Sequence, residues 1–198
     1  IILELNPKFD LEPSKRIMSD IMGRKMTYTK QLKSSVVETF AICKSFSSKF
    51  SNCEREIVNS EWFIVRNILE HADWKLYATL NELLPILAEM CESEYIKQIN
   101  SFVSNKDKEV SRLFSEKEEI LLSTGYTYGL YWSLELIAWS PNYIIEVFEI
   151  LGKLKKYDNK AIEVMTRILL PWYPQTMADS TLRIATVKML LKENEEVG

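Results

Sequence analysis

The sequence is short of what catalysis usually needs. One histidine, His71, stands among 198 residues. Any Ser–His or Cys–His nucleophile system would have to be built on it, and the usual His-rich metal sites are excluded. Its place after Leu69-Glu70, at an expected helix end, fits a histidine favoured there by the helix dipole. Cys43, Cys53 and Cys91 form no C-x-x-C, which argues against a zinc site or a redox pair. Cys43 and Cys91 fall on apolar helix positions, as reduced thiols do in a cytosolic protein. With only 5 Gly and 6 Pro, the chain holds no disordered-type tract. It also has no G-x-x-x-x-G-K-[ST] or G-x-G-x-x-G, so no phosphate cradle is legible. No apolar run approaches the roughly 18 residues of a membrane span, and no signal peptide is expected. A cytoplasmic location and no membrane partner are therefore expected. The chain opens at Ile1-Ile2-Leu3 without Met, so it is expected to be a piece of something larger.

Charge adds little. The formal net charge is -3, with an excess of Lys and Arg before residue 50 and of Asp and Glu after it. No Gly-rich or aromatic-interleaved basic motif accompanies the basic part. A solvated face is the reading, and a nucleic-acid partner is not expected. The paired carboxylates Glu118-Glu119 and Glu195-Glu196 are consecutive. On a helix they point about 100° apart and do not converge for acid–base work.

What the chain does have is helical periodicity. Leu32, Val36, Phe40 and Cys43 follow the spacing of one helix face, and so do Val58, Trp62, Val65 and Leu69. Tyr77, Leu80, Leu84, Leu87, Ala88 and Cys91 make a third stripe. Tyr143, Val147, Ile150, Leu151 and Leu154 make the cleanest, with Glu146, Glu149, Lys153 and Lys156 opposite. The helix before it carries two stripes: Leu130, Leu134, Ile137 and Ala138 on one side, Trp132, Leu136 and Trp139 on the other. It is expected to be sandwiched between neighbours. Strand alternation is confined to a candidate at Ile1–Leu5.

Boundary signals agree. Ser140 can cap the following helix and Pro141 suits its first position. Ser51 with Glu54 and Ser115 with Glu118 have capping-box spacing. Asp73, Asp158 or Asn159, and Asp179 are further cap candidates, and Pro171 and Pro174 stop a helix near Leu170. An echo links Leu84–Ala88 with Tyr95-Ile96 to Leu134–Ala138 with Tyr143-Ile144. Each is a helix, a tight turn and a second helix. The fold expected is all-α: stacked antiparallel helical hairpins, a HEAT- or TPR-like α-solenoid fragment. One domain over 1–198 would comprise an N-terminal segment 1–27, first hairpins 28–104, a connection 105–124 and second hairpins 125–198.

The residues with binding potential are aromatic. Tyr126, Tyr128, Tyr131, Trp132 and Trp139 cluster, and core packing is their default reading. A recognition surface is the sharper one, because Tyr and Trp give large contacts at low entropy cost. Trp172, Tyr173 and Gln175 lie in Pro171-Trp-Tyr-Pro-Gln-Thr176, too rigid and apolar for a plain linker. Its alternatives are a wedge that orients the next helix or a presented loop. Gly125 and Gly129 have a small-xxx-small spacing that permits close helix approach.

In order along the chain, Tyr28-Thr-Lys-Gln-Leu32, Leu84-Pro-Ile-Leu-Ala-Glu89, Gly129-Leu-Tyr-Trp-Ser-Leu-Glu-Leu-Ile-Ala-Trp-Ser-Pro-Asn-Tyr143 and Leu170-Pro-Trp-Tyr-Pro-Gln-Thr176 resemble the helical C-terminal region of large bacterial antiviral STAND-type NTPases and related defence proteins. The similarity spans nearly the whole chain. It departs at Tyr157-Asp158-Asn159-Lys160, where that family has a Gly-rich turn. The resemblance implies a non-catalytic helical-repeat sensor or scaffold that binds a protein partner or supports oligomerisation. It implies no cofactor, metal or catalytic residue in this part, with any NTPase or effector portion elsewhere. A purely structural spacer is the alternative, and an enzyme with an unrecognised site a third.

Overall fold

In a computed structural model, residues 1–50, 52–116 and 125–193 are described, without the side chains of Val58 and Glu193. Ser51, Glu118, Glu119, Glu195 and Glu196 lie outside that set. Among the described residues the regular elements are all helical. The α-helices are α1 (Lys30–Ser45), α2 (Glu54–Leu69), α3 (Trp74–Thr79), α4 (Leu84–Met90), α5 (Glu92–Asn105), α6 (Asp107–Ser115), α7 (Tyr128–Ala138), α8 (Ile144–Leu154), α9 (Lys160–Leu169) and α10 (Ser180–Glu193). The candidate strand at Ile1–Leu5 does not form. That segment lies outside any sheet and is followed by a 3-10 turn, Pro7–Asp10.

The helices stack in two rows. One row runs α1, α4, α7, α9, and the other runs α2, α5, α8, α10. Helices of one row point the same way. Lys30 reaches Glu82 near the start of the α1–α4 contact, and Lys44 donates to the Glu89 and Met90 carbonyls near its end. Lys160 lies over the Tyr128 ring, and Arg167 pairs with Glu135 one turn-pair further on. In the second row Lys153 donates to Asn100 Oδ1 at 2.8 Å and Lys156 to Asp107 Oδ1 at 2.5 Å. The two sequence-echo hairpins, α4–α5 and α7–α8, are thus neighbours in register.

The core runs between the rows. Leu87, Ala88, Leu134, Val147, Phe148, Ile150 and Leu151 are fully buried. Burying each of the larger ones stabilises the fold by about 1.5–3 kcal/mol. One polar pin crosses this core. Ser133 spends its single hydroxyl hydrogen on the Leu130 carbonyl at 2.7 Å, so Tyr95 donates its own to Ser133 Oγ at 2.6 Å. Both groups are satisfied without water.

Three expectations need correction. The stripe Tyr77–Cys91 is not one helix but α3 and α4. Pro85 has no N–H to return to the Asn81 carbonyl, so the helix breaks there. On α1 the inward residues are Lys33 and Val37, whereas Leu32 and Phe40 are exposed. Lys33 is held inside by the Glu4 carbonyl at 2.8 Å and the Glu4 carboxylate at 3.3 Å. The inward face therefore lies round the helix from the apolar stripe, and a charged residue sits on it. On α2, Val65 and Leu69 are buried as expected, but Trp62 is exposed.

Caps divide similarly. Asp73 accepts from the Leu76 N–H, Asp158 from Lys160 and Asp179 from Leu182. Ser115 is the last residue of α6, and its hydroxyl donates to the Arg112 carbonyl; its expected partner Glu118 lies outside the described residues. Ser140 opens a turn closed by the Tyr143 N–H on its carbonyl, and α8 begins only at Ile144, without a side-chain cap. Cys53, not Ser51, precedes α2. Helix α6 falls within the expected connection 105–124 and packs on α3. The N-terminal segment folds over this pair. Phe9 meets Trp74 and Tyr126 edge-on at 5.4 and 5.0 Å, and Arg16 pairs with Glu116 at 2.5 Å.

Candidate functional site

Helix α7 positions the aromatic residues. Gly129 allows it to lie directly on the turn before α4. A Cβ at Gly129 would stand 1.6 Å from the Asn81 carbonyl oxygen, and the Gly129 N–H donates to Asn81 Oδ1 at 2.7 Å. This contact fixes the rotation of α7 and so decides which ring points where. Tyr131 is buried with Leu130, Leu134 and Ile137. Its ring packs edge-on against Phe114 at 6.1 Å, and Phe114 stacks on Tyr157 at 5.6 Å. Burial, and then the Asp158 carboxylate, push the Tyr131 phenol far up its scale. Tyr126 is also in the core, against Phe9.

The other rings point away from it. Tyr128, Trp132 and Trp139 are 43%, 45% and 54% exposed. At 100° per residue they fall within about 40° of one another on the helix. They make one stripe, about 16 Å long at 1.5 Å per residue. The default of core packing therefore holds for Tyr126 and Tyr131 and fails for these three. The expected sandwich holds only in part. Helix α7 lies between α4 and α9 in its row and backs onto α8, but its Trp132–Trp139 side faces outward, with Leu136 half-buried at its margin. The Tyr128 and Trp132 rings contact at 5.8 Å, and the Lys160 ammonium stands 5.3 Å from the Tyr128 ring. Glu135, on the same stripe, is joined to Arg167 of α9.

The segment after α9 extends the patch. Its backbone is tied at two points: the Gln175 N–H donates to the Ile168 carbonyl at 3.1 Å, and the Met177 N–H to the Trp139 carbonyl at 3.0 Å. Pro171 and Pro174 restrict the chain between them. Trp172 and Tyr173 are 80% and 73% exposed at its tip, Met177 is exposed beside Trp139, and Gln175 is half-buried. The tip of the loop is exposed, while Thr176 and Ala178 at its base are buried. Rigid, exposed aromatics on an ordered backbone are the chemistry of protein recognition, where a few Trp and Tyr side chains carry most of the binding energy.

His71 is exposed in the turn after α2. Cys43, Cys53 and Cys91 are free, half-buried thiols far apart in sequence. No group of three or more His, Cys, Asp or Glu placed to hold a metal occurs among the described residues. No helix among them is long and apolar enough to cross a membrane. Sequence reasoning missed Met177 and the Glu135–Arg167 pair, although Glu135 lies seven residues from Tyr128 and so on its stripe. Comparison with known protein families, curated proteins and solved structures finds no match to this chain.

Proposed function

We propose that this chain is a non-catalytic helical-repeat module that binds a protein partner through the outer aromatic face of α7 and the loop 171–177. The observation that carries this reading is the outward side of α7. A helix that spends Tyr128, Trp132 and Trp139 on solvent, beside a doubly tied loop offering Trp172 and Tyr173, exposes a contiguous apolar patch of the kind that marks interaction sites. A spacer would have no use for it. Its resemblance to the helical C-terminal region of bacterial STAND-type defence proteins adds the biological setting. In that setting the module acts in the cytoplasm as the sensing or scaffolding part of an antiviral protein, with any NTPase or effector activity elsewhere.

The test uses the full-length protein in bacteria challenged with phage. Trp132→Ala with Trp139→Ala should abolish protection and the capture of its partner from infected cells, each ring contributing about 2 kcal/mol or more to binding. The melting temperature of the chain should stay unchanged, since both rings are half exposed or nearly so. Full protection by the double variant would sink the recognition reading and leave the spacer.

A further inference from the structure

Helix α7 lies inside its row, with α4 on one flank and α9 on the other. Its outward side is therefore a face of the array and not one of its ends. That face is large. At roughly 150–250 Å² for a whole aromatic side chain, the exposed parts of Tyr128, Trp132, Trp139, Trp172 and Tyr173 come to about 450–750 Å². Met177 adds to this, and the total approaches the roughly 800 Å² that each partner gives a standard-size interface.

The face is also neutral. Along α9, Lys160, Glu163 and Arg167 follow the i, i+3, i+7 spacing of one side, and Arg167 is joined to Glu135 of α7. On the other flank Glu89 of α4 is exposed, with the Lys44 ammonium on its backbone carbonyl at 3.0 Å. Cations and carboxylates balance. Such a face has no net charge with which to select a partner of opposite sign, and none to repel a copy of itself. A core of aromatic side chains with few charges is the composition of homodimer interfaces.

Its relief fits the same partner. Trp172 and Tyr173 reach furthest into solvent, at the Trp139 end of α7, where the Met177 N–H holds the loop to the Trp139 carbonyl. Tyr128, at the other end, lies lower and is tilted against Trp132. A raised end and a low end, about 16 Å apart along the helix, complement each other when two copies meet antiparallel.

We propose that the partner of this face is a second copy of the chain, related by a two-fold axis that crosses α7 between Trp132 and Glu135. The inference rests on the recognition reading above and names its partner. The two α7 helices run antiparallel, and Trp132 meets its counterpart beside the axis. Trp172 and Tyr173 of each copy cover Tyr128 and Lys160 of the other. The contact is isologous, so the assembly closes at two copies.

Sedimentation equilibrium of the full chain at about tens of micromolar, above the weak limit for interfaces of this size, should give twice the mass of one chain. Added salt should leave that mass unchanged, because no net charge is brought together. Trp132→Ala with Trp139→Ala, and separately Trp172→Ala with Tyr173→Ala, should each weaken association at least tenfold while the melt of the monomer stays the same. A wild-type chain that remains monomeric overturns the proposal. Protection against phage then separates the two readings. If the Trp132→Ala, Trp139→Ala variant still loses it, the face recognises a different protein; if protection persists, the recognition reading falls as well. A dimer untouched by both double variants, or growth beyond two copies, also overturns the proposal.

Discussion

Gly129 shows how much one residue decides. Its missing side chain is what lets α7 sit on the Asn81 carbonyl. Gly129→Ala should cost about 3 kcal/mol or more in urea unfolding, since the obstacle is backbone and cannot rotate away. Gly125→Ala is the control: its Cβ would meet only Thr127 Oγ1, at 3.9 Å, and the change should be neutral or slightly stabilising. The small-xxx-small spacing marked both glycines equally, and only their partners tell them apart. Glu61 is a second case. It is buried on α2, and its Oε1 has no hydrogen-bond partner. Burial raises its carboxyl pKa, opposed by the Lys44 charge. A raised carboxyl pKa means that the fold favours the protonated form. The contribution is fully present below the unfolded value, about 4.3, and is lost as pH rises through the folded one. Glu61→Gln should therefore stabilise the chain at pH 7 by about 1 kcal/mol, with the gain vanishing near pH 4 in thermal melts. Composition could not single out this glutamate among the many that are solvated.

At the scale of elements, the stripe of α8 and the Leu130, Leu134, Ile137 stripe of α7 were readable because each faces neighbours that bury one continuous side. The α1 stripe misled because α1 ends its row. It has α2 and α4 on one side and the N-terminal segment pinned by Lys33, so an apolar face was left outside. The corrected face predicts opposite outcomes for two residues three positions apart. Val37→Ala should destabilise by about 1–3 kcal/mol, and Phe40→Ala should change stability by less than about 0.5 kcal/mol, both read from chemical denaturation. Equal losses would restore the periodicity reading. Caps followed a similar logic. Asp73, Asp158 and Asp179 were legible because a short carboxylate before a helix has few better partners than its first N–H groups. Ser140 was not, because α8 begins only at Ile144, after a turn closed on the Ser140 carbonyl.

For the whole molecule, the N-terminal segment acts as a strap. Glu4 accepts from the Thr27 and Tyr28 N–H groups at 2.5 and 3.2 Å and holds Lys33. Burial alone would raise its carboxyl pKa, but the Thr27, Tyr28 and Lys33 donors outweigh that and bring it down to about 2. A depressed pKa gives a contribution present above the usual carboxylate range and lost as pH falls toward about 2. Glu4→Gln should speed amide exchange at Thr27 and Tyr28 at neutral pH without lowering the global melt to the same degree. Unchanged exchange would show that the strap is held elsewhere. The sequence by itself determined the helical class, the starts of α3, α9 and α10 and the stop after α9, because these follow from spacing and caps along one chain. Which side of each helix faces the core was decided only by the tertiary structure. Two apolar stripes on α7 are equivalent until Gly129 meets Asn81. The Leu32–Phe40 stripe of α1 and the Trp62 side of α2 look as apolar as buried faces until their neighbours are known. Burial is a property of neighbours, and a helix's neighbours are not written in its own periodicity.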